Sequence, residues 1–239
     1  MNGPPENPRE LTDLQRALQA YWTRQDEFAI ALLIPLAESG NPVAQYHLAR
    51  CYLWGERHVH DNERGVQWLR KAAQAEYADA QERLGSILRS GSGIKMNLAE
   101  ARLWFQRAAR NGHAHAYCQL GFLYFKGLGV TQNWRRALDC YEEAHKLGSG
   151  YAINSIGWFA ERGILVDRDY RRAFDCYQLA VERGFATAYF NLGVLHEYGR
   201  GVPPDRERAR KFYETAAGRG VDDARAALHR LKREDEEGQ

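Results

Sequence analysis

The sequence predicts an all-α fold, a right-handed α-α superhelical solenoid built from 36-residue helix-turn-helix repeats. Three observations predict it. Small and apolar residues return every 36 positions, a glycine follows each apolar stretch, and an Asp or Asn stands six residues after that glycine. A fixed period of about 20–50 residues is typical of repeat proteins in which each hairpin packs on its neighbours.

The first helix of each repeat, helix A, is predicted by an alanine, an aliphatic residue four positions later and a small residue directly after that. The spacing of four places the first two residues on one face of a helix, and the small residue lets another helix approach closely. The alanines are Ala44, Ala80, Ala116, Ala152, Ala188 and Ala224; the aliphatic residues are Leu48, Leu84, Leu120, Ile156, Leu192 and Leu228; the small residues are Ala49, Gly85, Gly121, Gly157 and Gly193.

A glycine is expected to end helix A, because a residue without Cβ accepts the left-handed backbone of a tight exit. The Asp or Asn that follows is expected to cap the second helix, helix B, by accepting a hydrogen bond from its free amides. Asn97 with Glu100 forms a capping-box pattern. The glycines are Gly55, Gly91, Gly127, Gly163 and Gly199, and the caps are Asp61, Asn97, Asn133, Asp169 and Asp205.

The two ends of the chain depart from the repeat. Residues 1–8 are expected to be disordered, and residues 9–40 to form a divergent capping repeat with helices over Leu11–Trp22 and Glu27–Ser39. Pro35 should kink or shorten the second of these helices. Five full repeats span residues 41–221, a capping helix spans 222–232, and residues 233–239 form a charged, frayed tail.

Composition excludes several classes of protein. With 33 basic and 31 acidic residues the chain carries no charge excess for binding nucleic acid or a membrane surface. No apolar run reaches the roughly 20 residues that span a bilayer, and the polar N-terminus does not resemble a secretory signal. The four cysteines form no CxxC pair. We therefore expect a cytoplasmic protein, a monomer or weak dimer, without cofactor or metal.

Two units of the sequence resemble the Sel-1-like repeat, a relative of the tetratricopeptide repeat. One contains Leu120, Gly121, Tyr124, Gly127, Gly129, Val130, Asn133, Ala137 and Ala144; the other contains Leu192, Gly193, Gly199, Gly201, Val202, Asp205, Ala209, Tyr213, Ala216 and Ala217. The resemblance covers about Asn41 to Leu231 and implies a superhelical scaffold for protein–protein contacts. Departures at Arg57, His58, Ala160, Leu165 and His196 put the loop geometry of their repeats in question.

A partner protein is expected to bind the residues of helix A that point away from the packed stripe, toward the concave side of the solenoid. The sequence favours an aromatic groove with basic edges, suited to a peptide or a helical segment of another protein. The alternative is that curvature buries these rings against neighbouring repeats. The candidate binding residues are Tyr46, Arg50, Trp54, Phe122, Phe125, Lys126, Trp158, Arg162, Phe190, Glu197 and Tyr198.

Other functions find less support. An inhibitor or immunity-type protein that covers a folded partner domain remains an alternative, whereas a hydrolase lacks a visible nucleophile–base pair. The pairs His58/His60 and His113/His115 lack further ligands at metal-binding spacing. Cys140 and Cys176 stand where other repeats have tryptophan, which indicates buried apolar residues rather than nucleophiles.

Overall fold

The structure is a computed structural model that describes residues 12–55 and 60–237. Within these residues the chain forms thirteen α-helices and no strand, which confirms the predicted all-α solenoid of helical hairpins. The predicted disorder of residues 1–8 and the departures at Arg57 and His58 lie outside the described residues. The helices are α1 (Asp13–Trp22), α2 (Asp26–Glu38), α3 (Pro42–Trp54), α4 (Asn62–Gln74), α5 (Ala78–Ser90), α6 (Leu98–Arg110), α7 (Ala114–Lys126), α8 (Trp134–Lys146), α9 (Gly150–Arg162), α10 (Tyr170–Glu182), α11 (Ala186–Glu197), α12 (Arg206–Gly218) and α13 (Asp222–Glu237).

The helices belong to two compact units, Met1–Ala116 and Tyr117–Gln239. In the first unit each helix from α1 to α6 contacts the next, and in the second unit the same holds from α8 to α13. Odd-numbered helices from α3 to α11 are the predicted helices A, and even-numbered helices from α4 to α12 are helices B. The alanines of the 36-residue period are fully buried, as the pattern predicts; they are Ala44, Ala80, Ala116, Ala152, Ala188 and Ala224.

Helices A and B of a repeat meet where the sequence predicts close approach. An aromatic ring of helix B lies directly over the helix A glycine, so that a Cβ on Gly193 would stand 2.5 Å from the Tyr213 ring. The same pairing joins Gly157 to Tyr177. Because no larger residue fits beneath the ring, the small residue of the period is a packing requirement.

The predicted caps of helix B are all formed. Asp61, Asn97, Asn133, Asp169 and Asp205 each accept a hydrogen bond from a first-turn amide, at 2.8 to 3.1 Å. Such a cap stabilises a helix by about 1 kcal/mol.

The capping box predicted from Asn97 and Glu100 is wrong in its second half. The Asn97 backbone N–H already donates to the carbonyl of Leu88 at 2.8 Å, so Glu100 is not needed there. Its carboxylate instead accepts hydrogen bonds from Arg70 and from the Trp104 indole.

The loops between helices A and B follow the predicted left-handed exit in four of the five repeats. Gly91 has φ 73°, whereas Gly55 in the first repeat has φ −69° and leaves its helix in an extended conformation. Leu165 keeps the left-handed geometry of the glycine that it replaces, with φ 70°. The fourth repeat therefore retains its loop shape at the cost of backbone strain.

The N-terminal hairpin packs as a repeat although its sequence diverges. Ala17 of α1 and Leu33 of α2 share a buried cluster with Leu48 of α3. The prediction that Pro35 shortens the second helix is wrong, since α2 has 13 residues with Pro35 inside it. Pro35 is exposed and lies near the helix end, so that only one backbone hydrogen bond is lost while Leu33 and Ala37 hold the helix from its buried face.

The C-terminal helix is longer than predicted. It continues through residue 232 to Glu237, so most of the segment expected to be a frayed tail is helical. Asp235 explains the extension, because its two carboxylate oxygens accept hydrogen bonds from Arg206 and Arg210 of α12, each at 2.7 Å. These bonds hold the pKa of Asp235 below its usual range.

None of the helices described in residues 12–55 and 60–237 combines the length and apolar character needed to cross a membrane.

Candidate functional site

Three of the predicted binding residues lie on α3 in the first unit. Tyr46 is buried and packs edge-on against Tyr77, with ring centroids 5.2 Å apart. It therefore offers little surface to a partner. Arg50 is half-buried and stacks over the ring of Tyr21 at 5.1 Å, whereas Trp54 leaves 48% of its surface exposed.

Arg50 and Trp54 share a pocket that the sequence did not predict. It has a volume of about 280 Å³ and lies where α1 and α3 end. The guanidinium of Arg83, from α5, lies over the Trp54 ring at 5.2 Å. The lining residues are Tyr21, Arg24, Asp26, Arg50, Cys51, Trp54, Gly55 and Arg83.

The structure brings together four predicted residues in the second unit. The rings of Phe125 and Trp158 meet edge-on with centroids 5.3 Å apart, and both are half-buried. The Lys126 ammonium lies 5.2 Å from the Phe125 ring, and the Arg162 guanidinium lies 5.5 Å from the Trp158 ring. Both cations are exposed. We call these four residues the Phe125–Trp158 surface.

Phe122 and Phe190 are half-buried on α7 and α11. Phe190 packs against Tyr213 at 5.5 Å, in a different apolar cluster from that of Phe125 and Trp158. Packing between helices thus covers part of each ring and leaves part of it exposed. This result is intermediate between the predicted open groove and the alternative, in which neighbouring repeats bury the rings.

Glu197 and Tyr198 end up in different environments. The Glu197 side chain is only 9% exposed, accepts a hydrogen bond from the Tyr213 hydroxyl at 2.6 Å, and pairs with Arg230 of α13 at 2.6 Å. Burial opposes its ionisation, yet these hydrogen bonds hold the pKa of Glu197 below its usual range. Glu197 thus fastens the C-terminal helix, while Tyr198 remains 54% exposed.

Glu161 repeats this arrangement one repeat earlier. It accepts from the Tyr177 hydroxyl at 2.8 Å and from Arg200 at 3.2 Å. The equivalent helix position in the third repeat is Phe125, because 36 residues separate it from Glu161. In the fourth and fifth repeats this position holds a glutamate that bonds to a tyrosine and an arginine inside the protein. In the third repeat it holds Phe125, whose ring belongs to the Phe125–Trp158 surface.

His113, directly before α7, and His115, in its first turn, make contacts that the sequence analysis did not predict. His113 lies 3.3 Å from Asp79, and His115 lies 2.9 Å from Glu82. Although burial opposes its ionisation, hydrogen bonds from His115 and Ser86 keep the pKa of Glu82 below its usual range. No group of three potential metal ligands occurs among the residues that the structure describes.

The four cysteines are free thiols. Burial raises the pKa of Cys140 to about 12, and it also raises the pKa of Cys176. Since the thiolate is the reactive form, the raised pKa disfavours a nucleophile at either position, as the repeat predicted. The prediction that both are buried is wrong, because Cys140 and Cys176 are only half-buried.

Comparisons with known proteins agree on the architecture. The family model of the Sel1 repeat matches five times in tandem, over residues 42–77, 78–113, 114–149, 150–185 and 186–221. A search of curated proteins gave no match.

Solved structures with the same fold come from several bacteria. A Sel1 repeat protein from Oxalobacter formigenes is 31% identical with a TM-score of 0.83, and the alignment covers 92% of this chain and 87% of that one. The protein c5321, a protective antigen of uropathogenic Escherichia coli, is 30% identical with a TM-score of 0.75; the alignment covers 84% of this chain but only 43% of c5321. The immunity protein Pa5087 from Pseudomonas aeruginosa, at 20% identity, a TM-score of 0.56 and coverage of 90% and 83%, shares the fold alone.

Proposed function

The chain belongs to the Sel1 repeat family, and on that premise we propose that it is an adaptor or scaffold that binds a peptide or a helical segment of a partner protein. Proteins of this family generally mediate protein–protein interactions and are generally not catalysts. We place this adaptor in the cytoplasm, because four free thiols suit a reducing compartment.

The Phe125–Trp158 surface is the observation that carries the proposal. A tryptophan held edge-on against a second ring is rigid, so a partner that covers it pays little conformational entropy. Tryptophan and arginine are also the residue types that dominate binding energy at protein interfaces.

The charges beside the rings define the expected partner segment. Lys126 and Arg162 are both exposed, and each stands beside one ring. An amphipathic segment with one or two apolar side chains and a neighbouring acidic residue complements them. The rings would supply most of the affinity, and the cations would favour acidic partners over basic ones.

The test compares two tryptophan variants in affinity capture from a lysate of the native cells, quantified by mass spectrometry. Trp158→Ala removes the centre of the surface. Trp134→Ala is the matched control, because Trp134 is 43% exposed at the start of α8 and lies outside the surface. A partner should bind the wild type and Trp134→Ala alike and be lost about tenfold or more from Trp158→Ala.

Two outcomes would contradict the proposal. Equal recovery by all three proteins would place the binding site elsewhere on the chain. A large fall in the melting temperature of Trp158→Ala alone would show that Trp158 belongs to the core.

Competition by a peptide separates this adaptor from an inhibitor that covers a folded domain. A synthetic segment of the captured partner should displace the whole partner if the surface binds a peptide or helix. Displacement only by the folded partner domain would favour the inhibitor or immunity-type function.

A further inference from the structure

The described residues that line the pocket between the ends of α1 and α3 carry more positive than negative charge. Three arginines line it, Arg24, Arg50 and Arg83, against one carboxylate, Asp26. We call it the arginine pocket. Within residues 12–55 and 60–237 none of the three guanidinium groups makes a hydrogen bond or an ion pair, and Nε of Arg83 is buried without an acceptor. A buried donor without an acceptor is unfavourable, so an anion that accepts a hydrogen bond from it would stabilise the pocket.

Aromatic rings hold two of these arginines in place. Arg50 contacts the rings of Tyr21, Trp22 and Tyr46 at 5.1 to 5.8 Å, and Arg83 contacts Trp54 at 5.2 Å. Such stacking uses the flat face of the guanidinium and leaves its N–H edge available. That edge matches the two oxygens of a carboxylate or phosphate, and an arginine fixed by packing loses little entropy when it binds them.

The walls of the pocket favour a carboxylate over a phosphate. Asp26 is buried in the lining and offsets one of the three arginine charges, but charge alone does not favour a carboxylate over a phosphate, so the preference comes from the aromatic walls. Tyr21 and Trp54 add aromatic surface against which the carbon chain that bears the carboxylate can pack. The volume of about 280 Å³ accommodates one such side chain.

We infer that the arginine pocket binds a carboxylate group of the partner protein, supplied by an acidic side chain or by the C-terminus. This inference rests on the proposed adaptor function and adds a second, charge-reading contact on the first unit. The carboxylate lies against the N–H edges of Arg50 and Arg83, and its carbon chain lies on Trp54.

Blocked dipeptides test the inference without the natural partner. The arginine Nε–Hε signals of the ¹⁵N-labelled full-length protein are followed during four titrations. The probes are N-acetyl-Leu-Glu-amide with a side-chain carboxylate, N-acetyl-Leu-Gln with a terminal carboxylate, the neutral N-acetyl-Leu-Gln-amide, and inorganic phosphate. At least one carboxylate probe should shift the signals of Arg50 and Arg83, and the tighter of the two identifies the source of the group.

Two arginine variants test whether Arg83 itself binds the carboxylate. Arg83→Gln should weaken the better carboxylate probe about tenfold or more, because a charge-assisted hydrogen bond is lost. Arg219→Gln is the control, since Arg219 also stacks on a ring, Tyr189 at 4.6 Å, but lies outside the pocket. Circular dichroism verifies that both variants fold. If Arg83→Gln does not fold, the four titrations of the wild-type protein still test the inference.

Three results would overturn the inference: no shift with either carboxylate, equal shifts with the neutral amide, or tighter binding of phosphate than of both carboxylates. Each concerns the arginine pocket alone. The adaptor function is tested separately at the Phe125–Trp158 surface, so failure of the pocket and failure of the adaptor function are distinguishable.

Discussion

Replacing Gly193 by alanine tests how tightly the two helices of a repeat are packed. A Cβ at this position would lie 2.5 Å from Cε1 and 2.7 Å from Cδ1 of Tyr213, far inside van der Waals contact. The ring cannot swing aside freely, because Tyr213 is 1% exposed and its hydroxyl donates to Glu197 at 2.6 Å. One helix must therefore move away from the other.

The expected cost follows from two opposing effects. Overpacking of a tight core costs about 1–3 kcal/mol, whereas alanine gains up to about 1 kcal/mol over glycine within a helix. Gly193→Ala should thus lower the free energy of unfolding by roughly 1–2 kcal/mol. Gly218→Ala is the matched control, since no atom lies within 4 Å of its added Cβ, and it should be neutral or stabilising by up to about 1 kcal/mol.

Urea unfolding followed by far-UV circular dichroism measures both variants. For a chain of this length each 1 kcal/mol corresponds to roughly 2–4 °C in melting temperature, so thermal scans give a second reading. If Gly193→Ala is as stable as Gly218→Ala, the ring of Tyr213 does not close over α11 as the structure has it, and the packing argument fails.

Three further perturbations address strain, acid sensitivity and a buried histidine. Leu165→Gly should raise the free energy of unfolding by up to about 1 kcal/mol, and the urea midpoint with it, because Leu165 has φ 70°. A lower midpoint would show that its side-chain contacts outweigh the strain. Glu197 has a lowered pKa, so its ionised form stabilises the fold above the usual pKa of 4.5, and this contribution is lost as the pH falls below it. Below pH 4.5 the melting temperature of Glu197→Gln should therefore depend less on pH than that of the wild type. An equal dependence in both proteins would argue against the pairing of Glu197 with Arg230. Burial lowers the pKa of His47 from 6.5 to about 4, so the folded state binds fewer protons than the unfolded state in this range. The free energy of unfolding should therefore fall by up to about 3 kcal/mol between pH 6.5 and 4 in the wild type, and by less in His47→Gln. Equal pH dependence of the two proteins would contradict a buried neutral imidazole.

Features set within one hairpin could be predicted from the sequence. Asp205 caps α12 through a residue three positions later, and Gly193 meets Tyr213 of its own repeat. Local geometry determines both, so the 36-residue period reveals them. Pro35 shows the limit of a local rule, because burial of its neighbours keeps α2 helical despite the missing amide.

The candidate site was harder to predict, because its environment depends on neighbouring hairpins. Glu197 shares its repeat position with residues expected to face a partner, yet Arg230 from α13 closes over it. Tyr46 is covered by Tyr77 in the same way. The arginine pocket joins α1, α3 and α5, and no spacing within a single repeat brings Arg24, Arg50 and Arg83 together.

Site-specific photo-cross-linking tests most directly the claim that a partner protein binds the Phe125–Trp158 surface. A benzophenone side chain in place of exposed Lys126 would lie at the edge of that surface and leave both rings intact. One at Leu147, which is 48% exposed at the end of α8, would serve as the control. The partner should cross-link at position 126 through one short segment, and not at position 147. Cross-links at position 147 alone, or none at 126 with a partner that is still captured, would contradict the proposed binding surface.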